Sequence, residues 1–218
     1  MDKWVIAAAL LIAIIAVYYL VGSNILNREM QFTQERATAF ALQELNYRYS
    51  GASIEIFDVR NTSTVAGTSS WLIKANVAYG KNTLCPNLTV VDVDQAFNFV
   101  PREKDMITSG CRVMGCVSLS ACSVNYPEEA ILLPLDMTHN PDQQLQTTIS
   151  SFESEAGGVS SVRATATRYA DKYTSSRTNM TYSDVWLVSY SFEEAPSSLD
   201  MVLNKSNGVV LEYYRKLL

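Results

Sequence analysis

The 218-residue sequence contains a single histidine, His139, and this scarcity excludes many enzyme mechanisms. A Ser-His-Asp or Cys-His arrangement would have to use this one residue as its base. Zinc sites built from histidine ligands are excluded by the count. His139 lies in "THNPD", within a proline-rich segment, which is typical of an exposed loop. We therefore expect no catalytic residue, no metal site and no cofactor, and we predict that the protein is not an enzyme.

The sequence is also poor in glycine motifs and in clustered positive charge. Its nine glycines form neither a P-loop nor a dinucleotide-binding motif. The formal net charge is −5, and the basic residues are scattered along the chain. Nucleic acid binding normally requires a basic patch or stripe. These absences argue against nucleic acid as a partner.

Two pairs of acidic residues are the remaining candidates for chemistry. Asp92 and Asp94 are two positions apart on a predicted strand, so their carboxylates would face the same side. A calcium loop also needs a glycine turn and further ligands, which "DVDQAFNF" lacks. Glu128 and Glu129 are adjacent and flank a predicted loop. We interpret both pairs as solvated surface residues.

Residues 4–21 form an uninterrupted apolar segment, "WVIAAALLIAIIAVYYLV", without charge, glycine or proline. As a helix, this segment would be about 27 Å long, enough to cross a bilayer core. A cleaved signal peptide is the alternative, but its apolar core is normally shorter and is followed by small residues. We predict a transmembrane signal anchor at 4–22, preceded by a short cytoplasmic tail at 1–3.

The cysteines and glycosylation sequons indicate the orientation of this anchor, which the nearly balanced basic residues do not decide. All four cysteines lie after the apolar segment, as do four Asn-x-Ser/Thr sequons, at Asn61, Asn87, Asn179 and Asn204. We therefore expect a single-pass cell-membrane protein with a cytoplasmic N-terminus and an extracytoplasmic C-terminal body. The four asparagines are candidate glycosylation sites.

The four cysteines are Cys85, Cys111, Cys116 and Cys122. The last three lie in "CRVMGCVSLSAC", whose spacing fits neither the C-x2-C redox motif nor the close-set pairs of zinc knuckles. We expect two disulfides, each stabilising the fold by about 2–4 kcal/mol. Four cysteines allow three pairings. We favour Cys85 bonded to either Cys111 or Cys116, with the other of these two bonded to Cys122.

Residues 23–125 are predicted to form a first α+β unit that carries the disulfide-bonded loop. Apolar residues at helical spacing, such as Ala37 and Ala41, predict a helix that ends at Ser50-Gly51. Three segments rich in β-branched and aromatic residues then predict an antiparallel sheet, at 53–60, 69–80 and 87–100.

Residues 126–141 are predicted to be a linker, because Pro127, Pro134 and Pro141 disfavour regular structure around them. A second unit is predicted at 142–218. Its helix is placed within 142–175, with an apolar face made of Ala166, Tyr169, Ala170 and Tyr173. Three strands follow, at 183–192, 198–205 and 208–216. The two units look alike, which suggests a divergent repeat.

The segment "WLVSYSFEEAPSSLDMVLNKSNGVVLEYY" resembles the end of a PepSY domain. In that family a W-x-V strand is followed by a strand that runs into V-[DN]-x-x-[NT]-G-x-V-L. The residues that carry the resemblance are Trp186, Val188, Val202, Asn204, Asn207, Gly208, Val209, Val210 and Leu211. It implies a membrane-attached or extracytoplasmic module associated with peptidase inhibition and sensing. The expected fold class is therefore α+β, with a transmembrane helix and two PepSY- or cystatin-like units of a helix on an antiparallel sheet.

The overall layout is also similar to that of a type IV pilin, in which a long N-terminal helix packs on a disulfide-bonded β domain. The basic leader and the glutamate typical of pilins are missing here. We therefore predict a membrane-anchored, non-catalytic binding or structural module that acts through protein–protein contacts in the cell envelope. The alternatives are a PepSY-like modulator or inhibitor of an envelope peptidase and a pilin-like filament subunit. The expected partners are membrane lipid, through residues 4–22, and an envelope protein.

Overall fold

The computed structural model describes residues 33–63, 69–94, 106–116, 122–193 and 197–217. Within these ranges there are eleven β-strands, three α-helices and two short 3-10 turns. The strands are β1 (Ser53–Ser63), β2 (Ser69–Tyr79), β3 (Asn87–Val93), β4 (Met106–Ser109), β5 (Arg112–Val113), β6 (Arg163–Tyr169), β7 (Tyr173–Thr174), β8 (Thr181–Tyr182), β9 (Val185–Ser191), β10 (Ser197–Asn204) and β11 (Val210–Leu217). The helices are α1 (Gln34–Arg48), α2 (Pro127–Leu132) and α3 (Gln143–Glu155). The 3-10 turns are Leu133–Leu135 and Val159–Ser161.

The first sheet is an antiparallel meander in the order β1-β2-β3-β4-β5, and α1 packs on it. Thr33 caps this helix by accepting a hydrogen bond from the backbone N–H of Arg36. The helix buries Ala37, Ala41 and Leu45 against a cluster of small and β-branched strand residues. These side chains recur at i, i+4 and i+8, so one stripe of the helix faces the sheet.

The second sheet has the order β11-β10-β9-β6, with the β7–β8 hairpin inserted between β6 and β9. The burial pattern of β10 is continuous over Ser197–Leu203, because this inner strand is covered on both faces. Helix α3 contributes Leu145, Ile149 and Phe152 to the core of this sheet. β11 lies at the edge of the sheet, with only β10 beside it.

The loop after β2 connects the two halves of the fold. Leu84 is fully buried in the core of the second sheet. The backbone N–H of Ala164 donates a 3.0 Å hydrogen bond to the carbonyl of Asn82, and Thr83 forms a β-bridge with Arg163. Backbone pairing and apolar packing therefore join the first half of the chain to β6.

The segment 126–141, predicted as a linker, contains α2 and a 3-10 turn. Pro127 is the first residue of α2, where a missing backbone N–H has no cost. The Glu129 carboxylate accepts hydrogen bonds from the backbone N–H groups of Asn125 (2.6 Å) and Tyr126 (3.0 Å). Glu128 and Glu129 are both buried, so their interpretation as solvated surface residues was wrong.

Two disulfides are present, as predicted: Cys85–Cys111 and Cys116–Cys122. The first joins the loop after β2 to the turn between β4 and β5. Beside it, the backbone N–H of Gly110 donates to the side-chain oxygen of Asn87 at 3.1 Å. The second closes a short ring of sequence separation 6. This pairing is one of those that the spacing favoured.

The predicted fold class was wrong. The described residues form mostly antiparallel sheet with few helices, rather than two equivalent helix-on-sheet units. The supposed second helix face is the clearest error, because Ala166 and Tyr169 lie on β6. A spacing of four residues returns to the same face of a strand as well as of a helix, so the Ala166/Ala170 pair did not distinguish the two.

The predicted tail at 1–3 and anchor at 4–22 lie outside the described residues. Among the helices that are described, none combines the length and the apolarity needed to cross a membrane.

Candidate functional site: a cleft beside the last strand

A cleft of about 670 Å³ opens beside the edge strand β11. One wall is the segment that leads into α3, from His139 to Leu145. The other wall is formed by β11 and the residue before it, from Val209 to Tyr213. Arg177, from the loop between β7 and β8, completes the lining. Three segments that are far apart in the sequence thus meet at the free edge of the second sheet.

Asn140 binds the start of β11 to the opposite wall. Its Nδ2 donates to the carbonyls of Leu133 (2.9 Å) and Gly208 (3.2 Å), and its Oδ1 accepts from the N–H of Val210 (2.8 Å). The side chain is buried, so all three bonds replace contacts with water. The side-chain amide of Asn140 therefore hydrogen-bonds to the backbone at the start of β11, in the place that a neighbouring strand would otherwise occupy.

Gly208 makes this close approach possible. Its φ is +70°, a conformation that side-chain-bearing residues adopt only with strain. A Cβ at this position would lie 2.6 Å from Cδ1 of Leu133. The turn before β11 therefore requires glycine both for its backbone angle and for its contact with the 3-10 turn.

A β-bulge lies in β11 at the middle of the cleft. Val202 pairs with Glu212 and Leu203 with Val210, so Leu211 is the extra residue. Leu211 is 43% exposed and lines the cleft. A bulge bends the strand and redirects a side chain, and here it leaves an apolar side chain accessible at the sheet edge.

Arg177 covers the next part of the strand edge. Its Nη1 donates a 2.9 Å hydrogen bond to the backbone carbonyl of Tyr213. Arg177 is itself exposed and is one of the residues that line the cleft. A side chain rather than a strand therefore occupies this backbone acceptor, which protects an otherwise open edge.

Glu212 fixes the β7–β8 hairpin against β11. Its carboxylate accepts hydrogen bonds from Ser175 Oγ (2.8 Å), Thr178 Oγ1 (3.1 Å) and Tyr182 OH (2.9 Å). Burial raises the pKa of the Tyr182 hydroxyl, and its bond to the Glu212 carboxylate adds to the rise. These hydroxyl contacts hold the loop that carries Arg177 beside the strand.

Asp142 has a structural role at the other wall. Its Oδ1 caps α3 by accepting from the backbone N–H groups of Gln144 (2.8 Å) and Leu145 (3.3 Å). Burial raises the pKa of the Tyr213 hydroxyl, and the Asp142 carboxylate raises it further, while Arg177 opposes the rise. The cleft therefore offers an apolar side chain, strand backbone and one guanidinium, next to acids already engaged in hydrogen bonds.

His139 lines the cleft and is only 3% exposed, so its predicted position in an exposed loop was wrong. Its Nδ1 is 2.9 Å from Oδ2 of Asp136. Burial opposes ionisation of Asp136, but hydrogen bonds from the Thr138 backbone and from His139 lower the pKa of its carboxyl below the usual value. The imidazole is therefore oriented by a carboxylate.

Neither the candidate glycosylation sites nor Asp92 is among the residues that line the cleft. The candidate glycosylation sites Asn61, Asn87 and Asn179 are exposed, and Asn204 is half-buried. Asp92 is half-buried, with an oxygen 3.9 Å from Nζ of Lys74.

Sequence reasoning missed Asn140, Arg177 and Glu212, because single polar residues in loops and on an edge strand form no motif. Gly208 was a usable signal, since a glycine at the junction of the strands predicted at 198–205 and 208–216 is typical of a turn. No protein-family model matches the chain, and none of the curated proteins compared with it matches either.

Proposed function

We propose that this chain is a membrane-anchored, extracytoplasmic, non-catalytic module that binds a partner protein of the cell envelope in the cleft beside β11. In this proposal residues 4–22 contact membrane lipid and the disulfide-bonded body lies outside the cytoplasm. The two disulfides support an oxidising location. The single observation that supports a binding role is the outer edge of β11, where the side chains of Asn140 and Arg177, rather than another strand, bond to the backbone.

An extended segment of a partner is the ligand that best suits this cleft. Added strands gain affinity from main-chain hydrogen bonds and specificity from pockets for alternate side chains. Here Arg177 can swing away from the Tyr213 carbonyl because it is exposed, and Leu211 supplies an apolar contact. Asn140 keeps the start of β11 rigid, so the partner would meet a preformed edge.

The edge of the first sheet supplies a matched control. Phe57 is 48% exposed and is the extra residue of a bulge in the edge strand β1, as Leu211 is in β11. Strand β1 carries charged residues next to its bulge, including the Asp58–Arg60 ion pair at 2.8 Å. Charges of this kind discourage pairing with another chain. The two positions are therefore alike in exposure and local geometry but differ in the surface around them.

The experiment compares partners recovered from detergent-solubilised membranes by the full-length chain and by two variants, Leu211→Arg and Phe57→Arg. We expect a partner that the wild-type chain and the Phe57→Arg variant recover and that Leu211→Arg loses. Equal recovery by all three would refute the cleft as the binding site.

The identity of the recovered partner separates the alternatives. A peptidase whose activity changes in the presence of the chain would indicate the PepSY-like modulator. Recovery of further copies of the chain alone would indicate the pilin-like filament subunit. Any other envelope protein would support the general binding module.

A further inference from the structure

Three potential metal ligands meet around His139, a residue that lines the cleft. The Sγ atoms of Cys116 and Cys122 and one imidazole nitrogen of His139 all lie within 4.8 Å of one another. Cys122 and His139 are buried and Cys116 is half-buried. Thiolate and imidazole are the donors that Zn²⁺ prefers in proteins.

His139 is already arranged as a metal ligand would be. Its Nδ1 contacts the Asp136 carboxylate, while its buried Nε2 has no hydrogen-bond partner among the described residues. Metal-binding histidines usually direct one ring nitrogen to a carboxylate and use the other for the metal. A buried polar nitrogen without a partner is uncommon in folded proteins and calls for an explanation.

The disulfide prevents metal binding in the oxidised chain, because neither sulfur is a thiolate. A dithiol reductant can cleave the Cys116–Cys122 bond by supplying two electrons and two protons, which gives two thiols and the disulfide of the reductant. Zn–S and Zn–N bonds of about 2.3 Å and 2.0–2.1 Å place tetrahedral donors roughly 3.5–3.8 Å apart. The sulfurs therefore have to separate by less than 2 Å, roughly, to enclose the ion.

We propose that reduction of the Cys116–Cys122 disulfide creates a Zn²⁺ site whose ligands are the two thiolates and Nε2 of His139. Each thiol releases its proton to solvent as it binds the ion, and water takes the fourth position. Asp136 is a positioning residue that orients the imidazole. The site does not depend on the partner-binding role of the cleft.

The second disulfide is an internal control for this proposal. Cys85 and Cys111 are also bonded, but no group of three potential metal ligands forms around them in the part of the chain that the structure describes. Replacing both with serine removes the competing thiols and leaves the proposed ligands intact.

The test uses the full-length chain with Cys85→Ser and Cys111→Ser, reduced with a phosphine and titrated with Zn²⁺ against a chromophoric chelator. We expect one Zn²⁺ per reduced chain and none per oxidised chain. His139→Gln should weaken binding by about 100-fold or more, and Asp136→Asn by about 10–100-fold. Co²⁺ in place of Zn²⁺ should give a thiolate-to-metal charge-transfer absorption with tetrahedral d–d bands.

Several results would overturn the proposal. Zinc uptake by the oxidised chain would show that the thiolates are not the ligands. Unchanged affinity in His139→Gln would show that the cysteines bind metal without the histidine, as they would in an unfolded chain. Reduced thiols that react with an alkylating probe but take up no Zn²⁺ would show a reactive cysteine pair and no metal site.

Discussion

The side-chain amide of Asn140 donates a 3.2 Å hydrogen bond to the carbonyl of Gly208, sixty-eight residues later in the chain. The same side chain accepts from Val210 and donates to Leu133, so it joins the 3-10 turn to the start of β11. This contact positions one wall of the cleft relative to the other. The proposed binding edge therefore depends on a single buried amide.

Replacing Asn140 should lower both stability and order at the strand edge. Asn140→Ala leaves three backbone groups without their side-chain partner, so we expect a loss of about 2–4 kcal/mol in the free energy of unfolding. The Val210 amide should also exchange faster with solvent. Chemical denaturation and hydrogen exchange measure the two effects. Asn207→Ala, which removes one bond within the turn, should cost less than about 1 kcal/mol; an equal loss in both variants would contradict this role of Asn140.

Glycine substitutions should separate backbone strain from steric contact. Gly208 and Gly157 both have positive φ, but only at Gly208 would a Cβ meet another atom, Leu133 Cδ1. Gly157→Ala should cost about 1–2 kcal/mol, and Gly208→Ala at least about 1 kcal/mol more. Thermal and chemical denaturation measure the difference. A further Leu133→Ala substitution should be less than additive with Gly208→Ala. An equal loss of unfolding free energy at the two glycines would show that the Leu133 side chain moves aside without strain.

The two disulfides should differ in their contribution to stability. Cys85–Cys111 closes a loop of sequence separation 26, and Cys116–Cys122 one of separation 6. If they act by restricting the unfolded chain, removing the first should cost about 3.5 kcal/mol and removing the second about 2.3 kcal/mol. Paired Cys→Ser variants and denaturant titration test this order. The reverse order would indicate that native-state contacts dominate, and four free thiols in the native protein would contradict both bonds.

The buried Glu128 should make stability depend on pH. Burial raises the pKa of its carboxyl above the ordinary value of 4.5, Glu55 adds to the rise, and its own backbone N–H and Lys81 oppose it. Between 4.5 and the raised value, the unfolded chain loses this proton while the folded chain keeps it. The contribution of Glu128 to stability is therefore complete below 4.5 and declines as the pH rises through that window.

Glu128→Gln should remove this decline. We expect the variant to be more stable than the wild-type chain at pH 7 and the gain to disappear towards pH 4. Chemical denaturation over this pH range measures the difference. Glu35→Gln, at an exposed acid in the first turn of α1, should give no gain. A gain at Glu128 that does not change with pH would point to packing instead of ionisation.

The sequence predicted individual strands better than it predicted their assembly. The segments 53–60, 69–80 and 183–192 correspond to β1, β2 and β9, because strands half-buried in a sheet alternate in a short, local pattern. The helix predicted from Ala166 and Ala170 was wrong, because a spacing of four residues fits a strand as well as a helix. The linker prediction for 126–141 missed α2 for another reason. Pro127 is the first residue of this helix, and a proline can begin a helix as well as end one.

Local sequence patterns could not predict the candidate site. Cysteine spacing and the predicted compartment indicated two disulfides without a structure, since four cysteines allow few pairings. Asn140, Arg177 and Tyr213 meet only after the sheet forms, through contacts between residues 36 to 70 positions apart. His139 looked like an exposed loop residue because the local sequence does not reveal that its turn is buried, beside the Cys116–Cys122 disulfide.

The most direct test of the binding cleft is photo-crosslinking in native membranes with a probe residue at Leu211, and separately at Phe57, in the full-length chain. We predict a covalent product with a distinct partner protein from Leu211 and no such product from Phe57. The same partner captured from both positions, or from Phe57 alone, would contradict the assignment of the β11 edge as the binding surface.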